Sequence, residues 1–407
     1  AVSAGEVIID GGFEFDGSEQ VPFDQAGLRE FLESLETKPD AFAITSVFAP
    51  VSDAHELRAA EIVREIHGDA SISLSSSLGS IGLLERENAC VLNASLLSVA
   101  RSIVDGLSAA MESLGIDAVA YFAQNDGTLM AIERVLEFPV LTIGSGPANS
   151  MRGAAHLSGL KDAIVIDVGG TSTDIGVLAS GFPRESAVPV EIGGVRTNFR
   201  MPDLLALALG GGTVVDDTGD SVRVGPTSVG HRLTEEALCF GGSTATLSDA
   251  ANKQGRASFG TTEPDALSED LATRVLDKVD AMFEDGIDRM KLSQSAQPVI
   301  VVGGGSVLVP TALEGVSEVV RPDNFDVANA IGAAMASVSA ELDQLFTIDE
   351  KGRDAVIAEA KAEAIGAAIA LGSDPHETEI VFLEELTMAY MTDKILRLRI
   401  KAAGPLV

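Results

Sequence analysis

The sequence predicts an α/β fold, and three observations carry that prediction. Short β-branched runs alternate with stretches of helical spacing along most of the chain, the rhythm of strands and helices laid in layers. Two of those runs, Ala163–Ile166 and Ile175–Leu178, flank a short turn rich in glycine and hydroxyls, so they read as an antiparallel hairpin. A third, Pro298–Val302, breaks into Gly303-Gly304-Gly305, which leaves bare backbone at the end of a buried strand.

Bulk properties bound the function. The 407 residues suffice for two or three domains with cores of their own. With 46% hydrophobic and 22% charged residues, the composition is that of a globular protein. Acidic residues number 61 against 28 basic ones, a net charge of −33 that opposes nucleic acid and anionic membranes. That excess reads either as a solvated acidic surface suited to high salt or as the complement of a cationic partner. It also means that a nucleotide phosphate must be held by backbone amides and metal, because basic side chains are scarce. Two cysteines, Cys90 and Cys239, build no disulfide framework and point to a reducing, cytoplasmic location. No apolar run is expected to span a membrane, and the opening AVSAGEVIID lacks the basic head and apolar core of a signal peptide.

In chain order, Glu6–Asp10 reads as a strand and Gly11-Gly12 and Asp16-Gly17 as turns. Helical spacing over Phe23–Leu35, a strand over Ala41–Phe48, a helix from Ser52/Asp53 through Ile66 and a strand over Ser71–Ser75 follow. Glu85–Leu114 is a long amphipathic helix with an expected break near Gly106. Ala118–Ala123 is a strand ending in Gln124-Asn125-Asp126-Gly127-Thr128, which is either a plain turn or a ligand-facing turn at a strand's carboxyl end. Pro139–Ile143 is a further strand, and Pro147 ahead of the helix Met151–Leu157 fits a helix start, itself a ready anion site.

Beyond the central hairpin, the turn Gly181-Phe182-Pro183 and a third strand over Ala187–Ile192 make an antiparallel meander. Asp203–Leu209 reads as a helix ending at Gly210-Gly211-Gly212, and Thr213–Asp217 with Ser221–Val224 as a hairpin. After the glycine and hydroxyl cluster Gly241–Asp249 come a helix over Pro264–Met290, the strand Pro298–Val302, a short strand Glu318–Val320 and an Ala-rich helix Val327–Ser339. The helix Gly352–Leu371 and the strands Glu379–Met391 and Lys394–Lys401 form an α-β-β piece that looks like an appended module.

The chemistry concentrates in AIVIDVGGTSTDIGVL, Ala163–Leu178. Gly169 and Gly170 let backbone amides turn toward an anion, and the hydroxyls of Thr171, Ser172 and Thr173 add hydrogen bonds. Asp167 and Asp174 have the chemistry to hold a hydrated Mg²⁺. A Rossmann turn or a P-loop opens a helix after its glycines, whereas here a strand continues. The five histidines show no metal-ligand spacing, and neither cysteine has the paired His and carboxylate of a nucleophile.

The segments SGPANSMRGAAHLSGLKDAIVIDVGGTSTDIGVL, GGVRTNF, VGPTSVG, FGGSTATLSDA and VVGGGSVLVP, in that order, resemble the hydantoinase A/oxoprolinase family. The resemblance runs from about Gly11 to Ser339 and weakens beyond. It implies two ribonuclease H-like lobes of the actin/sugar-kinase/heat-shock ATPase type, with ATP between them and a small α-β-β C-terminal module. The expected division is 1–160, the remainder of the first lobe; 161–340, the second lobe; and 341–407, the module. It also implies ATP-dependent opening of a cyclic amide such as a hydantoin, 5-oxoproline or a lactam, with a B-type partner subunit or a homo-oligomer. The alternatives are a ketone carboxylase subunit and a non-catalytic nucleotide-binding protein.

On that resemblance Asp167, Gly169, Gly170, Thr171, Ser172, Thr173 and Asp174 match the second phosphate loop, with Asp167 on Mg²⁺. Gly303, Gly304, Gly305 and Ser306 match the adenosine-contacting loop, and Gly210–Gly212, Thr246 and Asp249 match motifs without an assigned role. Two departures stand out. The family opens with its own DxGGTxTD hairpin, and none precedes Gly11, so the first lobe is expected to lack on the order of a hundred residues. Arg232–Phe240, RLTEEALCF, stands where relatives carry a PGPACYG-like segment.

Overall fold

The computed structural model describes residues 3–78, 82–186, 190–199, 201–219, 221–291, 293–348, 352–386 and 395–407. Helix α1 (Gln25–Ser34) starts at Asp24, whose side chain accepts the Gly27 N–H. The strands β1 (Ala41–Ile44) and β2 (Ser71–Leu74) pair in parallel through the connecting helix α2 (Ala54–His67). No strand forms over Glu6–Asp10, where the chain has no ladder partner.

Helix α3 (Leu83–Leu114) runs unbroken through Gly106, against the expected break. Its buried Ala89, Cys90, Asn93, Leu97, Ala100 and Val104 lock the turns that lead up to that glycine, which outweighs a propensity cost of about 1 kcal/mol. By length and composition α3 could cross a membrane, contrary to the sequence expectation, but its inner face is spent on β1 and β2.

The strands β3 (Tyr121–Ala123) and β4 (Leu129–Ala131) form an antiparallel pair, followed by α4 (Ile132–Glu137). The strand expected over Pro139–Ile143 is instead a 3₁₀ turn, Pro139–Thr142, because proline denies it a ladder donor. Helix α5 (Ser145–Ser158) then begins six residues earlier than its predicted start.

The central sheet comprises β5 (Ala163–Val168), β6 (Thr173–Ala179), the short β7 (Phe182–Pro183) on the far part of β6, and three later strands. The hairpin β8 (Val190–Ile192) and β9 (Val195–Thr197) stands apart from it, and the first residues of the strand predicted over Ala187–Ile192 lie outside the described residues. The third antiparallel strand is β10 (Leu204–Leu207), where a helix was expected. Its leucines suit either state, and pairing with Thr173–Gly176 decides.

A hairpin of β11 (Thr213–Asp217) and β12 (Val222–Ser228), the short α6 (Leu233–Glu236), α7 (Leu247–Lys253) and α8 (Glu269–Met290) follow. Helix α8 starts at Ser268 rather than near Pro264, its N-cap side chain accepting the Leu271 N–H. The strands β13 (Gln297–Val302) and β14 (Val316–Val320) complete the sheet in the order β10-β6-β5-β13-β14, with β5, β13 and β14 parallel. Sequence alternation on β5 sends Ile164, Ile166 and Val168 to the face covered by α7 and α8, and Ala163 and Val165 to the other. Fully burying each larger side chain contributes about 1.5–3 kcal/mol.

That other face is covered by α5 and by α9 (Ala328–Ala334), whose backbones touch where they cross. A Cβ on Gly153 would stand 1.9 Å from the Ala328 carbonyl oxygen, and one on Gly332 1.9 Å from that of Asn149. Helix α9 ends five residues before its predicted end, and the chain enters a strand the sequence reading lacks, β15 (Val338–Thr347). With α10 (Arg353–Ala370), β16 (Glu379–Leu386) and β17 (Ile395–Gly404), it forms a sheet in the order β16-β17-β15-β4-β3. The C-terminal piece is therefore β-α-β-β, joined to residues 121–131, and the residues between Leu386 and Ile395 that its strands were expected to include lie outside the described set.

Candidate functional site

The hairpin β5–β6 places its two carboxylates opposite one another: Asp167 pairs with Asp174, and Val168 with Thr173 closes the ladder. Both aspartates are half-buried. Burial pushes the Asp167 carboxyl up, a hydrogen bond with Ser150 opposing it. Burial and then the charge of Asp167 push Asp174 up to about 6. An electron-rich pair that resists ionisation together is a place where a cation is welcome.

The turn between them is held from within by the Gly169 N–H donating to the Ser172 carbonyl, 2.9 Å. Behind it, the Gly211 and Gly212 N–H groups donate to the carbonyls of Gly169 and Gly170 at 3.0 and 2.7 Å. With the carbonyls tied down, the N–H groups of Gly170, Thr171 and Ser172 make no hydrogen bond among the described residues, and all three residues are exposed. Three unspent amide donors on a fixed turn form a concavity for an anion. The Thr173 hydroxyl, by contrast, is buried and donates to the Leu209 carbonyl, 2.7 Å, so it fastens the hairpin to the chain behind.

The triple glycine Gly210–Gly212 thus has a role that its motif match left open. A Cβ on Gly210 would lie 2.6 Å from the Thr171 nitrogen, so only glycine lets the turn rest there. Thr246 and Asp249 stand one layer further back. They form a capping box at the start of α7, and the buried Asp249 carboxylate also accepts the N–H groups of Cys239 at 2.7 Å and Leu238 at 3.3 Å. Ser248 donates its hydroxyl and its N–H to the Gly211 carbonyl. The signal for these residues was the glycine and hydroxyl clustering itself; the pairing partners lie too far along the chain to be read from it.

The loop Gly303–Ser306 closes on the same hairpin. Gly303 has φ +86°, and a Cβ there would fall 2.3 Å from Asp167 Oδ1. The Gly305 N–H donates to the Val168 carbonyl at 2.8 Å. Gly304 is exposed at the tip, with an unused N–H among the described residues, and Ser306 Oγ is buried without a partner. The two glycine loops predicted far apart in sequence therefore share one corner.

The other reactive side chains are quiet. Burial and then Asp249 push the Cys239 thiol up to about 12, and burial pushes Cys90 up to about 11, the opposite of a nucleophile's needs. His55 accepts the Gly12 N–H and contacts Glu19, and no three His, Cys, Asp or Glu side chains converge on a metal position among the described residues.

Compared with known proteins, the chain matches the model of the Hydantoinase/oxoprolinase family over residues 86–259 and that of the Hydantoinase/oxoprolinase N-terminal region over residues 1–67. It is 29% identical over 242 residues to caprolactamase subunit alpha of Pseudomonas jessenii, covering 58% of this chain and 34% of that one. It is 28% identical over 250 residues to the acetophenone carboxylase gamma subunit of Aromatoleum aromaticum, covering 58% and 33%. To 5-oxoprolinase 1 of Arabidopsis thaliana it is 30% identical over 216 residues, covering 51% and 17%. The chain spans about a third of the length of the first of these curated relatives. Its fold is that of the crystal structure of ATP-dependent caprolactamase from Pseudomonas jessenii, with a TM-score of 0.78, 20% identity, and coverage of 98% of this chain and 70% of that one. Nucleotide-free acetone carboxylase shares it too, with a TM-score of 0.69, 15% identity, and coverage of 98% and 69%.

Proposed function

Because the chain belongs to the hydantoinase/oxoprolinase family, whose two models together span more than half of it, we propose that it is the ATP-using subunit of an enzyme that opens a cyclic amide. The observation that carries the reading is the meeting of the Asp167–Asp174 hairpin with the Gly303–Ser306 loop. In this reading the free N–H groups of Gly170, Thr171 and Ser172 hold phosphate oxygens, and the glycines of Gly303–Gly305 receive the nucleoside. The residues fit a hydrated Mg²⁺ better than a caged metal, since only Asp167 and Asp174 are on offer. Asp167 would hold that ion, which supplies charge neutralisation at the phosphates.

The chemistry follows from the weakness of an unstrained amide as an electrophile. The γ-phosphoryl group of ATP passes to the amide carbonyl oxygen and ADP leaves. Water adds to the activated carbon, the ring nitrogen departs with a proton, and the remaining acyl phosphate is hydrolysed to carboxylate and phosphate. The protein's share in the first step is positioning and electrostatics. Relatives named as an alpha and a gamma subunit support a partner subunit, which we take to be of the B type, for the second step.

The same reading makes the central sheet one ribonuclease H-like lobe, supported by its three antiparallel strands followed by two parallel ones. The β1–β2 pair supports a partner lobe. The divisions near 160 and 340 belong to this proposal, with the C-terminal module docked on β3–β4. Buried free thiols at Cys90 and Cys239 support a cytoplasmic location.

The test is ADP release coupled to ring opening of hydantoin, 5-oxoproline or ε-caprolactam in the presence of the partner subunit. Coupled release is the expected result. The similarity to two ketone carboxylases motivates a second reading, which bicarbonate- and ketone-dependent ADP release without ring opening would favour.

A further inference from the structure

The turn Gln124–Thr128 takes no part in the nucleotide site, yet it stands at a large cavity. That cavity has a volume of about 810 Å³, the size of a small-molecule pocket. Its floor is built from three loops that each follow the carboxyl end of a strand: Pro50 and Val51 after β1, Ser76 and Ser77 after β2, and Gln124–Asp126 after β3. Open α/β sheets bind ligands at such ends. The loops are fixed in place. The fully buried Glu56 accepts the N–H of Ser46 at 2.8 Å and of Ser76 at 2.9 Å, bracing the first two loops against each other. The facing wall comes from β15 and β17 and the end of α10.

The wall chemistry defines the ligand. Leu129, Phe138, Leu141 and Ala340 give apolar surface to a flat ring. The charged side chains that line it are close to balanced, Arg134, Arg397 and Arg399 against Asp126, Glu137, Glu341 and Asp343, and most stand beside an opposite charge: Asp126 by Lys401, Arg134 by Glu137 at 3.6 Å, Arg397 by Asp343 at 2.8 Å and Arg399 by Glu384 at 2.8 Å. Gln124 Nε2 donates to Thr128 Oγ1 and the Leu129 carbonyl, both at 3.2 Å, while its carbonyl oxygen makes no hydrogen bond among the described residues. A neutral ring that brings an N–H and an apolar edge satisfies such a site.

The cavity is also coupled to the phosphate hairpin. Asn125 Oδ1 accepts the N–H of Gly144, 2.7 Å, at the very start of α5, and Ser150, six residues on, bonds to Asp167. The two ends of that link are about 9 Å apart along the helix.

We propose that this cavity is the seat of the ring substrate, and that it takes a neutral cyclic amide with an apolar edge. The proposal rests on the function read above. Its test is calorimetric titration of the full chain with hydantoin, ε-caprolactam and, as the anionic comparison, 5-oxoproline, beside a non-hydrolysable ATP analogue. Two variants fill the space from opposite walls, Ala131→Trp and Ala370→Trp. Each is expected to weaken binding of the neutral rings by about tenfold or more while the nucleotide binds as before. Neutral rings that bind both variants as they bind the wild type overturn the site and leave the function standing. A wild type that binds no ring overturns the function and the site with it. Tighter binding of 5-oxoproline than of the neutral rings overturns the neutral-ring assignment.

Discussion

Gly303 can only be glycine because Asp167 stands behind it: any Cβ there would lie 2.3 Å from Asp167 Oδ1, at a backbone φ of +86°. Gly303→Ala should therefore push the carboxylate aside and cost about 2–4 kcal/mol of stability. Gly304→Ala is its control, since a Cβ there meets nothing within 4 Å. Chemical denaturation of both variants, with nucleotide affinity measured in parallel, should separate them clearly.

Asp167→Ala should abolish nucleotide turnover in the assembled enzyme while the fold persists. Removing a half-buried carboxylate relieves the repulsion on Asp174, so the melting temperature should hold or rise. Retained ADP release in this variant would refute the metal assignment.

Asp174 makes stability fall with rising pH. Burial and Asp167 push its folded carboxyl up to about 6 from an ordinary 3.8, so between those values the folded protein holds a proton that the unfolded chain has lost. The neutral form costs nothing below that window, and the penalty is fully present above it. Its ceiling is about 3 kcal/mol, trimmed by partial contact with water. Asp174→Asn should melt several degrees higher than the wild type at pH 7 and equally at pH 4; melts without that convergence would show that Asp174 titrates normally.

Lys401→Met should be the most damaging surface-remote change. Burial would raise the Asp126 carboxyl, but Lys401 and the bonds from Thr128 outweigh it and hold it below the usual range. The side chains of Lys401 and Asp126 are only 4% and 13% exposed, so the substitution strands a buried charge at a cost of about 3–5 kcal/mol. The double variant Asp126→Asn/Lys401→Met should recover much of that loss in equilibrium unfolding.

What the sequence made legible was local. The hairpin Ala163–Leu178 and the loop Gly303–Ser306 announce themselves because a few adjacent residues specify them. Leu204–Leu207 does not, since leucines serve helix and strand alike and only the edge of β6 makes it a strand. Gly210 looked like a helix terminator and turned out to support the phosphate turn, a contact that spans some forty residues. The pairing of Asp126 with Lys401, 275 residues away, leaves no trace in either neighbourhood.

The path of the chain gives the glycine crossing of α5 and α9 a mechanical meaning. The strand β4 ends just before residue 132, β15 starts at Val338, and Val338 pairs with Leu129, so everything between them leaves and returns at one place. The departing helix α5 and the returning α9 are the two that meet at Gly153 and Gly332 with no side chain between their backbones. The crossing shares the holding of the inserted part with ties further out: Asn88 Nδ2 donates to the Arg196 carbonyl at 2.9 Å, and Phe199 packs in one buried cluster with Leu78, Ala89 and Cys90. A side chain larger than hydrogen at either glycine would force α5 and α9 apart, and with them the place where the inserted part leaves and rejoins the sheet of β4 and β15.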